Sequence, residues 1–133
     1  MPQNPPDGYH SVTPQTVVDD PRATLDFVQQ VFDARVGEIY EDGEVVVHSE
    51  AVIGDSKLFI AGVKGDFGVF PVMVNVYADD VDATYAKAEQ GATYLREPED
   101  QFYSHRTAGV VDSQGNQWSI TTRIGDLSAE GIR

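Results

Sequence analysis

The chain has 133 residues, 41% hydrophobic and 23% charged, which is the size and composition of one soluble globular domain. Its 22 acidic residues against 9 basic ones give a net charge of −13; that argues against nucleic acid and anionic membranes, which are bound through Lys and Arg, and leaves a cationic partner or simply a solvated acidic surface. The absence of Cys excludes a disulfide framework and a thiolate metal site, no apolar run is long enough to span a bilayer, and Met1-Pro2-Gln3-Asn4-Pro5-Pro6 lacks the basic and apolar regions of a secretory signal, so a cytoplasmic location is the default expectation.

Residues 1–9, rich in Pro and Gly, read as an extended or mobile arm. A first strand is predicted over about 10–18, alternating Thr13, Gln15 and Val17 against Pro14, Thr16 and Val18. Pro14 lacks an N–H, so this strand belongs at an edge or starts its pairing late. Asp20-Pro21 is a helix start, a capping carboxylate followed by Pro at the first helical position. Leu25, Val28 and Phe32 make one apolar stripe, and the helix should stop near Asp33. Strand-like runs follow at about 35–41, 44–53 and 57–62, separated by Asp42-Gly43 and Gly54-Asp55-Ser56 as turns.

Residues 63–70 read as a linker, and the order then repeats. A strand over 71–78 leads to a helix after Asp80, with Val81, Tyr85 and Ala88 on one face and Gly91 as its stop. Strands are predicted near 93–97, 104–111 and 117–122, and the turn Ser113-Gln114-Gly115-Asn116 reads as two residues longer than its counterpart. The tail from Ile124 is expected to be peripheral.

The two halves carry a shared pattern. Asp19-Asp20 recurs as Asp79-Asp80, and Ala23-Thr24 as Ala83-Thr84, at an offset of 60; Glu41-Asp42 recurs as Glu99-Asp100 at 58. The prediction is one α+β domain of two tandem βαβββ modules, residues 10–62 and 71–123, forming a large curved sheet with both helices on one face. Neither half buries its sheet face and helix stripe alone. The other face is left concave and open, where binding or chemistry is expected.

Three stretches carry a family resemblance: Val17-Val18-Asp19-Asp20-Pro21 through Leu25-Asp26-Phe27, then Ile53-Gly54-Asp55-Ser56, then Glu99-Asp100-Gln101-Phe102-Tyr103 through Val111-Asp112-Ser113-Gln114-Gly115-Asn116-Gln117-Trp118. With the doubled βαβββ order, they resemble the vicinal oxygen chelate superfamily, the glyoxalase and bleomycin-resistance group. That resemblance implies a scaffold hosting lyases, isomerases, dioxygenases, thiol transferases and non-catalytic drug binders. It also implies modules paired across two chains, hence a homodimer with two equivalent clefts. The family's metalloenzymes place ligands on the first and last strand of each module, positions that correspond here to Thr13, Phe59, Met73 and Ser119. None is His or Glu, so no metal and no cofactor is expected.

Candidate binding residues on the open face are Thr13, Gln15, His48, Glu50, Phe59, Met73, Asn75, Tyr77, Phe102, Arg106 and Ser119. Phe59, Met73, Tyr77 and Phe102 supply contact area, while Gln15, Asn75, His48 and Arg106 orient a ligand. His48 and Glu50 share a face at i and i+2, either as a general base with its carboxylate or as a hydrogen-bonded strand pair. An offset of 58 makes Arg106 the counterpart of His48, there to hold a carboxylate, stack on a planar ligand, or pair with Glu50. His105 is then predicted to point outward, His10 to lie on the surface and Trp118 to lie in the core. No nucleophile elbow, dinucleotide fingerprint or phosphate loop occurs. The reading is a metal-independent binder that sequesters a planar aromatic, cationic or peptide-like antibiotic. The alternatives are a glyoxalase-like lyase or isomerase, or a dioxygenase-related enzyme, with His48 as base, or a metal enzyme built on His48 and Glu50.

Overall fold

The computed structural model describes residues 2–64 and 68–125. Its elements run β1 (Gln15–Val18), α1 (Pro21–Phe32), β2 (Arg35–Asp42), β3 (Val45–Ile53), β4 (Ser56–Gly62), β5 (Met73–Tyr77), α2 (Val81–Glu89), β6 (Ala92–Asp100), β7 (His105–Asp112) and β8 (Gln117–Arg123). The βαβββ order therefore occurs twice, and each helix starts as its sequence dictates. Asp20 accepts from the Ala23 N–H at 3.3 Å, with Pro21 at the first helical position. Asp80 accepts from the Ala83 N–H at 3.2 Å. Helix α1 ends where Asp33 takes a left-handed conformation, φ 54°. Residues 126–133, most of the predicted tail, and 65–67 of the linker lie outside the described residues.

The expected single curved sheet is two four-stranded sheets, ordered β1-β4-β3-β2 and β5-β8-β7-β6. In each, the first strand runs parallel to the last and the others pair antiparallel. Strand β1 is also bridged to the segment that precedes β5: the Val17 N–H donates to the Phe70 carbonyl at 3.1 Å, and Phe70 returns the bond at 2.8 Å. Pro14 delays β1 to Gln15 and contributes only its carbonyl, which accepts from the Phe59 N–H at 2.9 Å.

Both helices pack on one core. Val18, Leu25, Val28, Leu58 and Ile60 of the first module join Val76, Val81, Tyr85, Val110, Trp118 and Ile120 of the second in one buried cluster. Trp118 is 1% exposed, as its parity predicted, and stacks on Phe27 across the module boundary with ring centres 5.6 Å apart. Each helix packs on its own module's sheet and the two helices meet each other, so one core spans both modules.

The strand register fixes which positions are equivalent. Val36 pairs with Ala51 and Ala51 with Leu58; in the second module Tyr94 pairs with Val110 and Val110 with Trp118. The offset is therefore 58 at the start of β2, 59 on β3 and 60 on β4, with register shifts along β2 and β6. The last connection, residues 113–116, is two residues longer than its counterpart, residues 54–55, as expected. One expectation is corrected: His48 corresponds to Thr107, not to Arg106.

Candidate functional site

Period-2 alternation builds the open face of the first module. Thr16, Val18, Ser49, Ala51, Leu58 and Ile60 are buried under the helices, so Gln15, His48, Glu50, Lys57 and Phe59 point the other way. Gln15, Phe59 and Glu50 form a row across three strands. Tyr9, from the N-terminal arm, crosses this row. Its hydroxyl donates to Glu50 Oε2 at 2.7 Å, and Lys57 Nζ sits 4.1 Å over its ring. The Phe59 ring lies 6.5 Å from Tyr9 and meets His48 edge-on at 4.8 Å. His48 Nε2 is 3.8 Å from Glu50 Oε1, and the Tyr40 ring is 6.0 Å beyond His48. The Tyr40 hydroxyl donates to Glu38. The hydrogen bond to Glu50, then burial, pushes the Tyr9 phenol up to about 12, and the Glu38 bond raises Tyr40 in the same way.

Tyr9, Glu38, Tyr40 and Lys57 were not singled out from sequence. Lys57 shares the parity of Phe59, which is the signal that finds it. Tyr9 sits in what reads as a mobile arm; the structure ties that arm to the sheet through Glu50 and Lys57.

The second open face carries Met73, Asn75 and Tyr77 on β5 and Ser119 on β8, with Asn75 and Ser119 in register. Asn75 Oδ1 accepts from the Thr121 hydroxyl at 2.6 Å. Tyr77 and Tyr103 both meet His105 edge-on, at 5.8 and 5.2 Å, and Phe102 meets Tyr103 at 5.1 Å. Met73, Tyr77 and Phe102 are exposed. The Thr107 hydroxyl, in the place equivalent to His48, accepts from Arg96 Nη2 at 3.0 Å and Gln101 Nε2 at 3.2 Å.

Arg106 lies on the helix side of β7. Its guanidinium grips Asp82 of α2 through two bonds of 2.8 and 2.9 Å and Asp100 through one of 2.9 Å. The pairing holds Asp82 below the usual carboxylate range and raises Arg106 still higher. Arg106 therefore stands apart from His48 and Glu50, and His105, expected outward, takes the open-face position. The physical reason is the one-residue register difference, which reverses every side chain on a strand.

Among the described residues no ring contact, ion pair or side-chain hydrogen bond joins the Phe59–His48 group to the Asn75–Tyr77 group. Between the modules lies an open cavity of about 710 Å³, lined in part by Thr13, Phe32, Lys57, Leu58, Asn75 and Tyr77. His10, exposed as expected, stands at this cavity.

The metal-ligand positions implied by the resemblance do not fit a divalent ion. Phe59 has no donor atom and Met73 only a thioether. Among the described residues no group of three His, Asp or Glu side chains is placed to hold a metal. His48 and Glu50 supply two donors, short of the three or four required.

A family profile described as Glyoxalase/Bleomycin resistance protein/Dioxygenase superfamily matches residues 10–120. An uncharacterized protein of Mycobacterium tuberculosis (strain ATCC 25618 / H37Rv) is 26% identical over 136 residues, covering 92% of this chain and 80% of that protein. Among solved structures, TioX from Micromonospora sp. ML1 superposes with a TM-score of 0.71 at 20% identity, over 84% of this chain and 97% of that one. The fosfomycin resistance protein FosX from Mesorhizobium loti superposes with a TM-score of 0.61 at 20% identity, over 92% and 96%. At these identities the structures share the fold. The profile match over most of the chain carries the further conclusion: this chain belongs to the Glyoxalase/Bleomycin resistance protein/Dioxygenase superfamily.

Proposed function

We propose that this protein is a metal-independent binder that sequesters a small planar aromatic or peptide-like compound, an antibiotic among the candidates, on the open faces of its sheets. The observation that carries this reading is the open-face chemistry. Rings and apolar side chains (Phe59, Met73, Tyr77, Phe102) stand beside a few polar groups, and the positions that hold metal in the family's metalloenzymes have no suitable donors. The likeness in fold to a fosfomycin resistance protein is compatible with such a role. The rings of the two open faces form separate groups among the described residues, which favours a binding cleft completed in a homodimer, the first module of one copy against the second module of the other. No helix among the described residues is long and apolar enough to cross a membrane. The location that fits this role is the cytoplasm, and with 22 acidic against 9 basic residues nucleic acid is a poor partner.

The test is a thermal-shift screen of aromatic and peptide antibiotics with and without a chelator. Stabilisation that survives the chelator supports the reading. Stabilisation that needs a divalent ion overturns it.

A second reading rests on Tyr9, Glu50 and His48. Glu50 lies between the Tyr9 hydroxyl and the His48 ring, an arrangement that suits His48 as a base beside a carbonyl. Arg106, on the opposite side of its sheet, takes no part. His48→Ala separates the two: an enzyme loses turnover by about 100-fold or more, whereas a binder loses modest affinity.

A further inference from the structure

Four exposed carboxylates are matched by cations, whereas two on the open face are held by phenols. Asp42 pairs with Lys64, Glu41 with Arg22, and Asp82 and Asp100 with Arg106. Glu38 and Glu50 instead accept from the phenols of Tyr40 and Tyr9. Glu50 is well covered, its side chain 13% exposed, and among the described residues its nearest ionisable nitrogen is His48 Nε2 at 3.8 Å. A covered carboxylate held only by neutral donors and an imidazole retains an unmatched negative charge.

Around these two carboxylates stand four rings in sequence, Tyr9, Phe59, His48 and Tyr40, with adjacent centres 6.5, 4.8 and 6.0 Å apart. Ring faces attract cations, most strongly where water is partly excluded. The protein already demonstrates this here, because the Lys57 ammonium sits over the Tyr9 ring at 4.1 Å. Among the described residues Lys57 is the one ammonium placed against these rings, beside two carboxylates, Glu38 and Glu50. The Tyr9 phenol, pushed up to about 12, stays protonated and adds no charge of its own at neutral pH.

We propose that this group is an ammonium subsite: the four rings and the Glu38 and Glu50 carboxylates receive a protonated or quaternary amine carried by the bound aromatic compound. The inference rests on the binder reading above and gives it a ligand class. A neutral ligand of the same shape meets the same rings but leaves both carboxylates without a counter-charge.

The second module provides the contrast. The places of His48, Glu50 and Phe59 are taken there by Thr107, Gly109 and Ser119, so the carboxylate is missing and the rings of that face, Tyr77, Phe102, Tyr103 and His105, stand at other positions. The cation is held by the first module alone, and the second module meets the uncharged part of the ligand.

The experiment is an NMR titration of the full chain with two probes of one shape, 4-(trimethylammonio)phenol and 4-tert-butylphenol, which differ by a positive charge. The expected result is binding of the cation about 10-fold tighter than its neutral twin. Glu50→Gln, which keeps an acceptor for Tyr9, is expected to cut that preference about 5-fold. Tyr40→Leu, at an exposed ring, is the second variant and should reduce it without a folding cost. Equal affinity for the two probes overturns the subsite while leaving the binder reading intact. A preference unchanged in both variants overturns it as well, since the charge is then being read elsewhere. If neither probe binds although antibiotics stabilise the protein without metal, the ammonium subsite alone is lost. If neither probe binds and no antibiotic stabilises it, both readings fall.

Discussion

Thr16 and Asn116, one hundred residues apart, are hydrogen-bonded inside the protein, the Thr16 hydroxyl donating to Asn116 Oδ1 at 2.5 Å. Both are fully buried. The same Asn116 oxygen accepts from the Val72 N–H at 3.1 Å, and its amide donates to Asp112 Oδ2 at 2.9 Å. Asp112 in turn accepts from Trp118 Nε1 at 2.8 Å and from the Asn116 N–H at 3.0 Å. One amide thereby ties the last turn of the second module to the first strand of the first.

Asn116→Ala removes the side-chain bonds to Thr16, Val72, Asp112 and Thr24, the last accepting from the amide at 3.4 Å, and strips the Val72 N–H and the Thr16 hydroxyl of their acceptor. Stranded buried donors cost about 1–3 kcal/mol each. The expected loss is about 2–4 kcal/mol, read as a lower midpoint in urea unfolding. Thr16→Val, which removes one donor and keeps the shape, is expected to cost about 1 kcal/mol.

Trp118 is the only tryptophan, buried between Phe27 and Phe32 with ring centres at 5.6 and 5.4 Å. Trp118→Ala opens a cavity and strips a donor from Asp112, and is expected to cost about 3–5 kcal/mol. Calorimetry measures it directly. In the unaltered chain the indole fluorescence reports loss of the inter-module core, since both rings it rests on belong to the other module.

The Asp82–Arg106 pair makes stability depend on acid pH. Asp82 is held below its ordinary carboxylate value, chiefly by the Arg106 hydrogen bonds. Its contribution is fully present above about pH 4 and is lost as pH falls through the lowered folded value. The melting-temperature gap between the unaltered chain and Arg106→Met should be constant from neutral pH to about pH 5 and shrink below about pH 4. Added salt should narrow it, because Asp82 is more than half exposed.

Tyr9 acts at the other end of the scale. Its phenol is raised to about 12 by the Glu50 hydrogen bond, so the folded state holds that proton more tightly than the unfolded one. The contribution is present below about pH 10 and is lost as pH rises towards 12. Ultraviolet titration of the six tyrosines should show late ionisation by Tyr9 and Tyr40, of which the Tyr9 contribution disappears in Tyr9→Phe, and the two chains should unfold alike above about pH 12.

Most of the architecture was legible because the signals that encode it are local. Asp20-Pro21 and Asp80 start helices through their own side chains, Asp42-Gly43 opens a turn with Gly43 at φ 64°, and strand parity put His48, Glu50 and Phe59 on one face. What failed was equivalence between distant segments. A single inserted residue moved the counterpart of His48 from Arg106 to Thr107 and put Arg106 on the helix side. The sequence match of Glu41-Asp42 with Glu99-Asp100 does not carry over to the register, because irregularities on β2 and β6 place Glu99, opposite Thr107, where Tyr40 stands opposite His48.

By itself, then, the sequence determined the doubled βαβββ order, the caps and turns, the inward face of each helix and the lack of metal donors at Thr13, Phe59, Met73 and Ser119. These follow from short-range chemistry and from period-2 or 3.6 alternation. Only the tertiary structure decided that the strands form two sheets, that Tyr9 folds back onto Glu50, and that Arg106 belongs to Asp82. Those outcomes depend on register and on contacts between residues tens of positions apart, which no local pattern specifies.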